Sequence, residues 1–507
     1  MAKKLYIHIG IPKTGSSALQ AFLGLNQDYI AKNFNYAYPW HAGFNQAYQT
    51  SAGNAPELAQ WITKDNYNVF KAKIEKIKED NIILSSEILF HTCRLQPEQF
   101  ASFFSEYDFK IICYIRKIDD FIDSVINQLI KNHDLIDHTE LTKIMKAHDY
   151  ADVLLNLEKY IDKEKIDIRF YKNNSYLGGN IYNDFFDALD LNFDKFDKTQ
   201  LIYPEAILNP SLNRNALEFR KILNRIEFNK FGNVYKNSIN GILAKYSVDH
   251  PNMQREILTQ EQRYFLIQNY KEKEVTLNKY FFDNSERIFS YADVIHNSSI
   301  PFSFTYEDAL EILEFIFKED QETFFKILKL FETHMENEDF FSTLLKNFCL
   351  KNIFNETKHI DSHFGTILPK LFQKMFTVNH KNFHNVINKK NADVEKMVNS
   401  ANMTFDLYTR AGNPFIVLEP MKLPKKMTGL FVIIKMESSC HPILKLHYQT
   451  TEEALFGNRK FVRAIGKKGI DIIIFCLYDI KLNGTFRIDF GDSQGIFKIK
   501  KIEFFTF

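Results

Sequence analysis

The chain begins with an apolar run, Leu5-Tyr6-Ile7-His8-Ile9, that stops at a glycine and passes into an amphipathic stretch starting Ala18-Leu19-Gln20-Ala21-Phe22. Further apolar runs at Ile82–Ser85, Lys110–Ile115 and Ile168–Tyr171 alternate with helical patterns such as Tyr67–Glu79, Pro97–Glu106 and Asp119–Ile130. Strands separated by helices in this way predict a parallel sheet covered on both faces. Ligands of such sheets bind at the carboxyl ends of the strands. From Pro204 to Ala292 the periodicity is helical, including Ser211–Ile226 and Leu258–Phe281. From Pro301 to Asn399 it is expected to stay helical, with Leu310, Leu313, Phe317 and Phe324, Leu328, Leu330 repeating as in a bundle.

Near Met403 the pattern shifts to short alternating strands: Phe415–Leu418, Gly429–Met436, Ile443–Tyr448, Ile470–Leu477, Gly484–Phe490 and Gly495–Phe505. Turn residues punctuate them, as at Gly412-Asn413-Pro414 and Asn483-Gly484, which predicts a β-sandwich. The expected organisation is an α/β domain over 1–298, a helical region over 299–400 and a β-sandwich over 401–507. The fold class is α/β, with a P-loop-like parallel sheet flanked by helices, then helices, then the sandwich.

Length agrees with this division, since 507 residues exceed one ordinary domain. The 64 basic and 63 acidic side chains leave a net charge of +1. That balance gives no electrostatic reason to expect nucleic acid or an acidic membrane as the main partner. There is no uncharged stretch long enough to span a bilayer, and Pro12 and Lys13 interrupt the first apolar run too early for a signal peptide. The five cysteines, Cys93, Cys113, Cys349, Cys440 and Cys476, are spread without metal-ligand spacing. Buried reduced thiols in a cytoplasmic protein are expected.

Two segments carry chemistry. The first, Gly10-Ile11-Pro12-Lys13-Thr14-Gly15-Ser16-Ser17, joins a strand to a helix. Backbone N–H groups at such a turn converge on an anion, helped by the helix dipole and by the Ser16 and Ser17 hydroxyls. A nucleoside-triphosphate loop puts Lys directly after its second glycine. Here Ser16 stands there and Lys13 lies inside the loop, where it can neutralise charge on a departing oxygen. A plainer account is a helix capped by Ser16 or Ser17. The second segment runs from Ile111 to Ser124: a buried strand ends at Arg116, and Ser124 lies in the following helix. Arg and Ser suit a phosphate, although Arg116 could equally pair with Asp119 or Asp120 on the surface.

Together the segments resemble the two cofactor signatures of sulfotransferases that use 3′-phosphoadenosine-5′-phosphosulfate. The likeness continues more weakly through Ile168-Arg169-Phe170-Tyr171, Leu177-Gly178-Gly179 and Asn209-Pro210-Ser211-Leu212, and covers roughly the first 290 residues. It is in the pattern of bacterial members acting on surface glycans. The resemblance implies that Pro12, Lys13, Thr14, Gly15, Ser16 and Ser17 bind the 5′-phosphosulfate, and that Arg116 and Ser124 bind the 3′-phosphate. It implies a glycan acceptor, no metal, and a peripheral association with glycan-assembly machinery. The general base is Glu87, beyond a strand's carboxyl end, or His41, in the loop Tyr38–Asn45. The C-terminal strands resemble β-domains appended to surface-polysaccharide enzymes, so carbohydrate binding is expected there beside a purely architectural role. A Mg²⁺-dependent nucleotide kinase and a non-catalytic glycan-binding scaffold are the alternative readings.

Overall fold

The computed structural model describes every residue outside 1–2, 41–52, 137–139, 172–175, 193–195, 198, 205–209, 285–287, 292–301, 335–338, 355–357, 380, 383–386, 391–393, 400–403, 410–413, 425–426, 428, 452–455, 457–459, 479 and 492–494. The chain divides into two compact units, Met1–Phe304 and Thr305–Phe507.

The first unit is built on parallel strands β1 (Lys4–Gly10), β2 (Tyr36–Ala37), β3 (Asn81–Ser85), β4 (Asp108–Ile115) and β5 (Ile166–Phe170), in the order β2-β3-β1-β4-β5. Leu5, Ile7 and Ile9 on one face of β1, and Tyr6 and His8 on the other, are all buried. A strand covered on both faces is continuously apolar, as the sequence pattern required. Three of the helices around the sheet carry the site: α1 (Ser16–Phe34), α2 (Ile88–Leu95) and α3 (Ile118–Asn132). Beyond the sheet lie α4 (Ile181–Ala188), α5 (Arg214–Arg225), α6 (Asn233–Asp249) and α7 (Gln260–Phe282). Among the described residues, no helix is long and apolar enough to cross a membrane. No disulfide forms, and Cys93, Cys113, Cys349 and Cys476 are buried.

The second unit opens with the helices Tyr306–Glu319, Gln321–His334 and Asp339–Phe348. The expectation of helix as far as Asn399 is corrected here. Strands begin at β6 (Lys358–Ile360) and continue through β7 (Gln373–Asn379), β8 (Ile387–Lys390), β9 (Val394–Asn399) and β10 (Thr404–Thr409). They are short, and β6, β7 and β8 are fixed by partners distant in sequence, such as β7 against residues 501–506, while β9 pairs with the neighbouring β10. Local periodicity therefore carries little of their signal. The expected sandwich follows as β11 (Phe415–Leu418), β12 (Gly429–Ser438), β13 (Ile443–Thr450), β14 (Phe461–Ile465), β15 (Gly469–Tyr478), β16 (Leu482–Asp489) and β17 (Gly495–Thr506).

One antiparallel sheet runs β6-β15-β12-β17-β10-β9, with β7 also on β17, and the other runs β14-β13-β16-β11-β8. Leu430, Val432 and Ile434 of the first sheet share a core with Leu444, Leu446, Phe486 and Ile488 of the second. The opposite face of the first sheet is covered too: Phe431 stacks on Phe354 at 5.4 Å and meets Phe372 at 5.7 Å.

Candidate functional site

β1 lies between β3 and β4. After β1 the chain passes to the β2–β3 side, and after β4 to β5. In open parallel sheets ligands bind at such a reversal, outside the carboxyl ends of the strands, here those of β1 and β4. The loop Gly10–Gly15 follows β1 there, and Glu87 and Arg116 follow β3 and β4.

Gly10 and Gly15 have φ of +96° and +83°, which glycine adopts without steric cost. A Cβ on Gly15 would also lie 2.7 Å from Ile181 Cδ1 and 2.8 Å from Tyr171 Cε2. Lys13 is left-handed as well, with φ +69°, at a cost of about 1–2 kcal/mol for a residue with a side chain. The buried Thr14 hydroxyl donates to the Ile11 carbonyl at 2.6 Å, and Ser16 Oγ lies 3.5 Å from the same oxygen. These hydroxyls brace the loop from within.

Gly15 is the N-cap of α1, and no side chain caps it. Capping by Ser16 or Ser17 is therefore not what these residues do. The N–H groups of Ala18 and Leu19 turn onto Gly15 O at 3.0 and 3.1 Å. Those of Ser16 and Ser17 have no backbone acceptor among the described residues, and they sit at the positive end of the helix dipole. Ser17 and Pro12 are half-buried beside them.

The Lys13 ammonium donates to Gln128 Oε1. Burial pushes it down to about 8, against the pull of the Glu87 carboxylate and with the help of Arg116. Glu87 stands at the N-cap of α2 without capping it. It hydrogen-bonds Ser16 instead, and burial raises its carboxyl above the usual range despite Lys13 and that hydrogen bond. The Glu87 Cα lies 3.7 Å from where a Cβ on Gly10 would be, so strand end and loop are in direct contact.

Arg116 lies beside them. Its guanidinium donates to the Lys13 carbonyl at 3.4 Å and stands 5.6 Å from the Tyr171 ring centre. The acids that might have claimed it are held elsewhere: Arg263 reaches Asp119, Asp120 and Asp123 at 2.8, 2.9 and 3.4 Å. Ser124 is half-buried on α3, one turn before Gln128.

No protein-family model matches this chain, and no curated protein is similar to it. Solved structures similar to it include a sulfotransferase from Alicyclobacillus acidocaldarius, at 11% identity over 40% of this chain and 88% of that one, with a TM-score of 0.26. A xylan-binding module, CBM86 from Roseburia intestinalis, is 11% identical over 27% of this chain and 96% of its own, with a TM-score of 0.21. The C-terminal CBM6 of LamC from Zobellia galactanivorans is 10% identical over 26% and 98%, with a TM-score of 0.17. Scores this low leave function to be argued from the residues.

Of the two candidate bases, Glu87 lies within electrostatic reach of Lys13, whereas His41 lies outside the described residues. His8 of β1 is fully buried, and burial pushes its pKa down to about 3. Its Nδ1 is 2.8 Å from Ser85 Oγ. Gln128, Lys131 and Tyr171 were not read from the sequence. Ser124, Gln128 and Lys131 follow at i, i+4 and i+7 and so share one face of α3. Lys131 is buried, with Nζ 3.4 Å from the Pro210 carbonyl, and burial together with Lys13 pushes it down to about 8. That polar stripe was the available signal, but only the packing of α3 over the loop gives it meaning.

Proposed function

We propose that the first unit transfers a sulfuryl group from 3′-phosphoadenosine-5′-phosphosulfate to a glycan hydroxyl, and that the sandwich binds carbohydrate. The observation that carries the transfer reading is the half-buried Lys13, inside a glycine loop at a helix N-terminus, with the Glu87 carboxyl and the Arg116 guanidinium near it. In this reading the α1 N-terminus and Lys13 hold the phosphosulfate, while Arg116 and Ser124 hold the 3′-phosphate. Glu87 takes the proton of the acceptor hydroxyl, whose oxygen bonds to sulfur. The bond from sulfur to the bridging phosphate oxygen breaks, and Lys13 stabilises the charge left on that oxygen. A carboxyl with a raised pKa suits a base working near neutrality.

The test is transfer of labelled sulfate from the donor to a panel of bacterial polysaccharides. The wild type transfers label without added Mg²⁺, Glu87→Gln loses the activity and His41→Ala keeps it. Loss in His41→Ala with retention in Glu87→Gln would reassign the base. Absence of transfer to any polysaccharide, together with ATP hydrolysis that needs Mg²⁺, would overturn the reading.

A further inference from the structure

The two sheets of the second unit differ on their outer faces. The first is backed by Phe354 and Phe372. On the second, alternation sends Leu444, Leu446, Val462, Ala464, Phe486 and Ile488 into the core. It sends Lys445, His447, Phe461, Arg463, Arg487 and Asp489 to the other side. The ladder aligns these residues. Lys445 stands opposite both Arg463 and Asp489, and His447 opposite both Phe461 and Arg487.

The only carboxylate among these six is already engaged. Arg487 grips Asp489 through Nε and Nη2 at 2.5 and 2.8 Å, and His447 Nε2 lies 3.0 Å from its Oδ2. Burial would raise the Asp489 carboxyl, but these partners hold it below its usual range. Lys445 and Arg463 therefore face each other as two cations, which is unfavourable unless an anion joins them. Beside them the Phe461 ring is 5.3 Å from Lys445 Nζ and 5.0 Å from the His447 ring. His447 is only 8% exposed, yet its Nδ1 has no hydrogen-bond partner among the described residues. Arg463 is exposed, and so is Ile465 next along β14, at 63%.

We propose that the outer face of the sheet β14-β13-β16-β11-β8 binds an anionic glycan, with Lys445 and Arg463 meeting its sulfate or carboxylate groups and Phe461 lying against a sugar ring. The occupant follows from charge complementarity together with the aromatic surface: a neutral glycan leaves the cation pair unsatisfied, and a plain polyanion has no use for the ring. The proposal rests on the glycan-binding reading of the sandwich and is independent of the transfer chemistry.

Affinity electrophoresis of the full chain in gels containing chondroitin sulfate or dextran tests it. Chondroitin sulfate is expected to retard the protein, less so at high salt, and dextran is not. The double variant Lys445→Ala/Arg463→Ala should bind about tenfold more weakly, a loss of about 1.4 kcal/mol. Phe461→Ala weakens binding with the charges intact, Lys13→Ala binds as wild type, and unchanged melting shows that each variant is folded. Full retardation of the double variant would put the site elsewhere and overturn the proposal. So would equal retardation by dextran, or displacement by polyglutamate as effective as by free chondroitin sulfate. A dimer that the double variant dissociates would make the face a contact between copies and overturn it as well. No retardation in either gel would overturn both the proposal and the glycan-binding reading of the sandwich.

Discussion

In the proposed transfer Lys13 must keep its charge to stabilise a leaving oxygen, yet burial pushes its ammonium down to about 8. Glu87 must lose its proton to act as a base, yet burial holds its carboxyl above the usual range. Each supports the charged form of the other, and together they set a pH window for catalysis. Activity should fall as pH rises through about 8, because Lys13 then becomes neutral. It should also fall on the acid side, above the ordinary glutamate range, as Glu87 takes up a proton. A pH–rate profile checks both limbs, and the alkaline limb disappears in Lys13→Arg. Lys13→Ala is expected to lower turnover by about 10²–10³-fold while leaving much of the nucleotide binding in place. A flat profile through pH 8, or wild-type turnover in Lys13→Ala, would remove the lysine from the mechanism.

At the scale of elements, the site is an arrangement of strand ends around one helix N-terminus, and α3 is its second wall. Arg263 of α7 ties down three acids of α3. Arg263→Met should leave the fully buried Asp119 unpaired and cost about 3 kcal/mol in urea unfolding. The released carboxylates then compete for Arg116, so nucleotide affinity falls with stability. Gly15→Ala should abolish nucleotide binding, because the added methyl meets both Ile181 and Tyr171 at a left-handed backbone position. Lys13, Arg116 and the loop glycines were legible in the sequence because strand, turn and helix start are local signals. Gln128 and Lys131 were not, since their part depends on where α3 packs. The same reasoning separates β12, read correctly from its long apolar run, from β7, whose strand is fixed by pairing with β17 far downstream. Asp119 and Asp120 of α3 were legible as possible partners of Arg116, but nothing in the sequence tied them to Arg263, more than a hundred residues downstream.

At the scale of the molecule, the two units are separate compact bodies in the chain. Calorimetric unfolding of the full chain is expected to show two transitions. 3′-Phosphoadenosine 5′-phosphate should raise the midpoint of one of them, and chondroitin sulfate the other, since a ligand stabilises only the body it binds. A single transition shifted by both ligands would mean that the units unfold as one. The helices Tyr306–Phe348 fall in the second unit, and so should melt with the sandwich rather than with the nucleotide-bound body.

On the proposed reading the glycine loop with its displaced lysine cradles a phosphosulfate and not a triphosphate. Isothermal titration of the full chain with 3′-phosphoadenosine 5′-phosphate, and separately with ATP and Mg²⁺, distinguishes the two. The expected result is binding of the bisphosphate in the presence of chelator, weakened by about tenfold or more in Arg116→Ala through loss of its charge-assisted phosphate contacts. Tighter binding of ATP that chelator abolishes, with no response of the bisphosphate to Arg116→Ala, would contradict it.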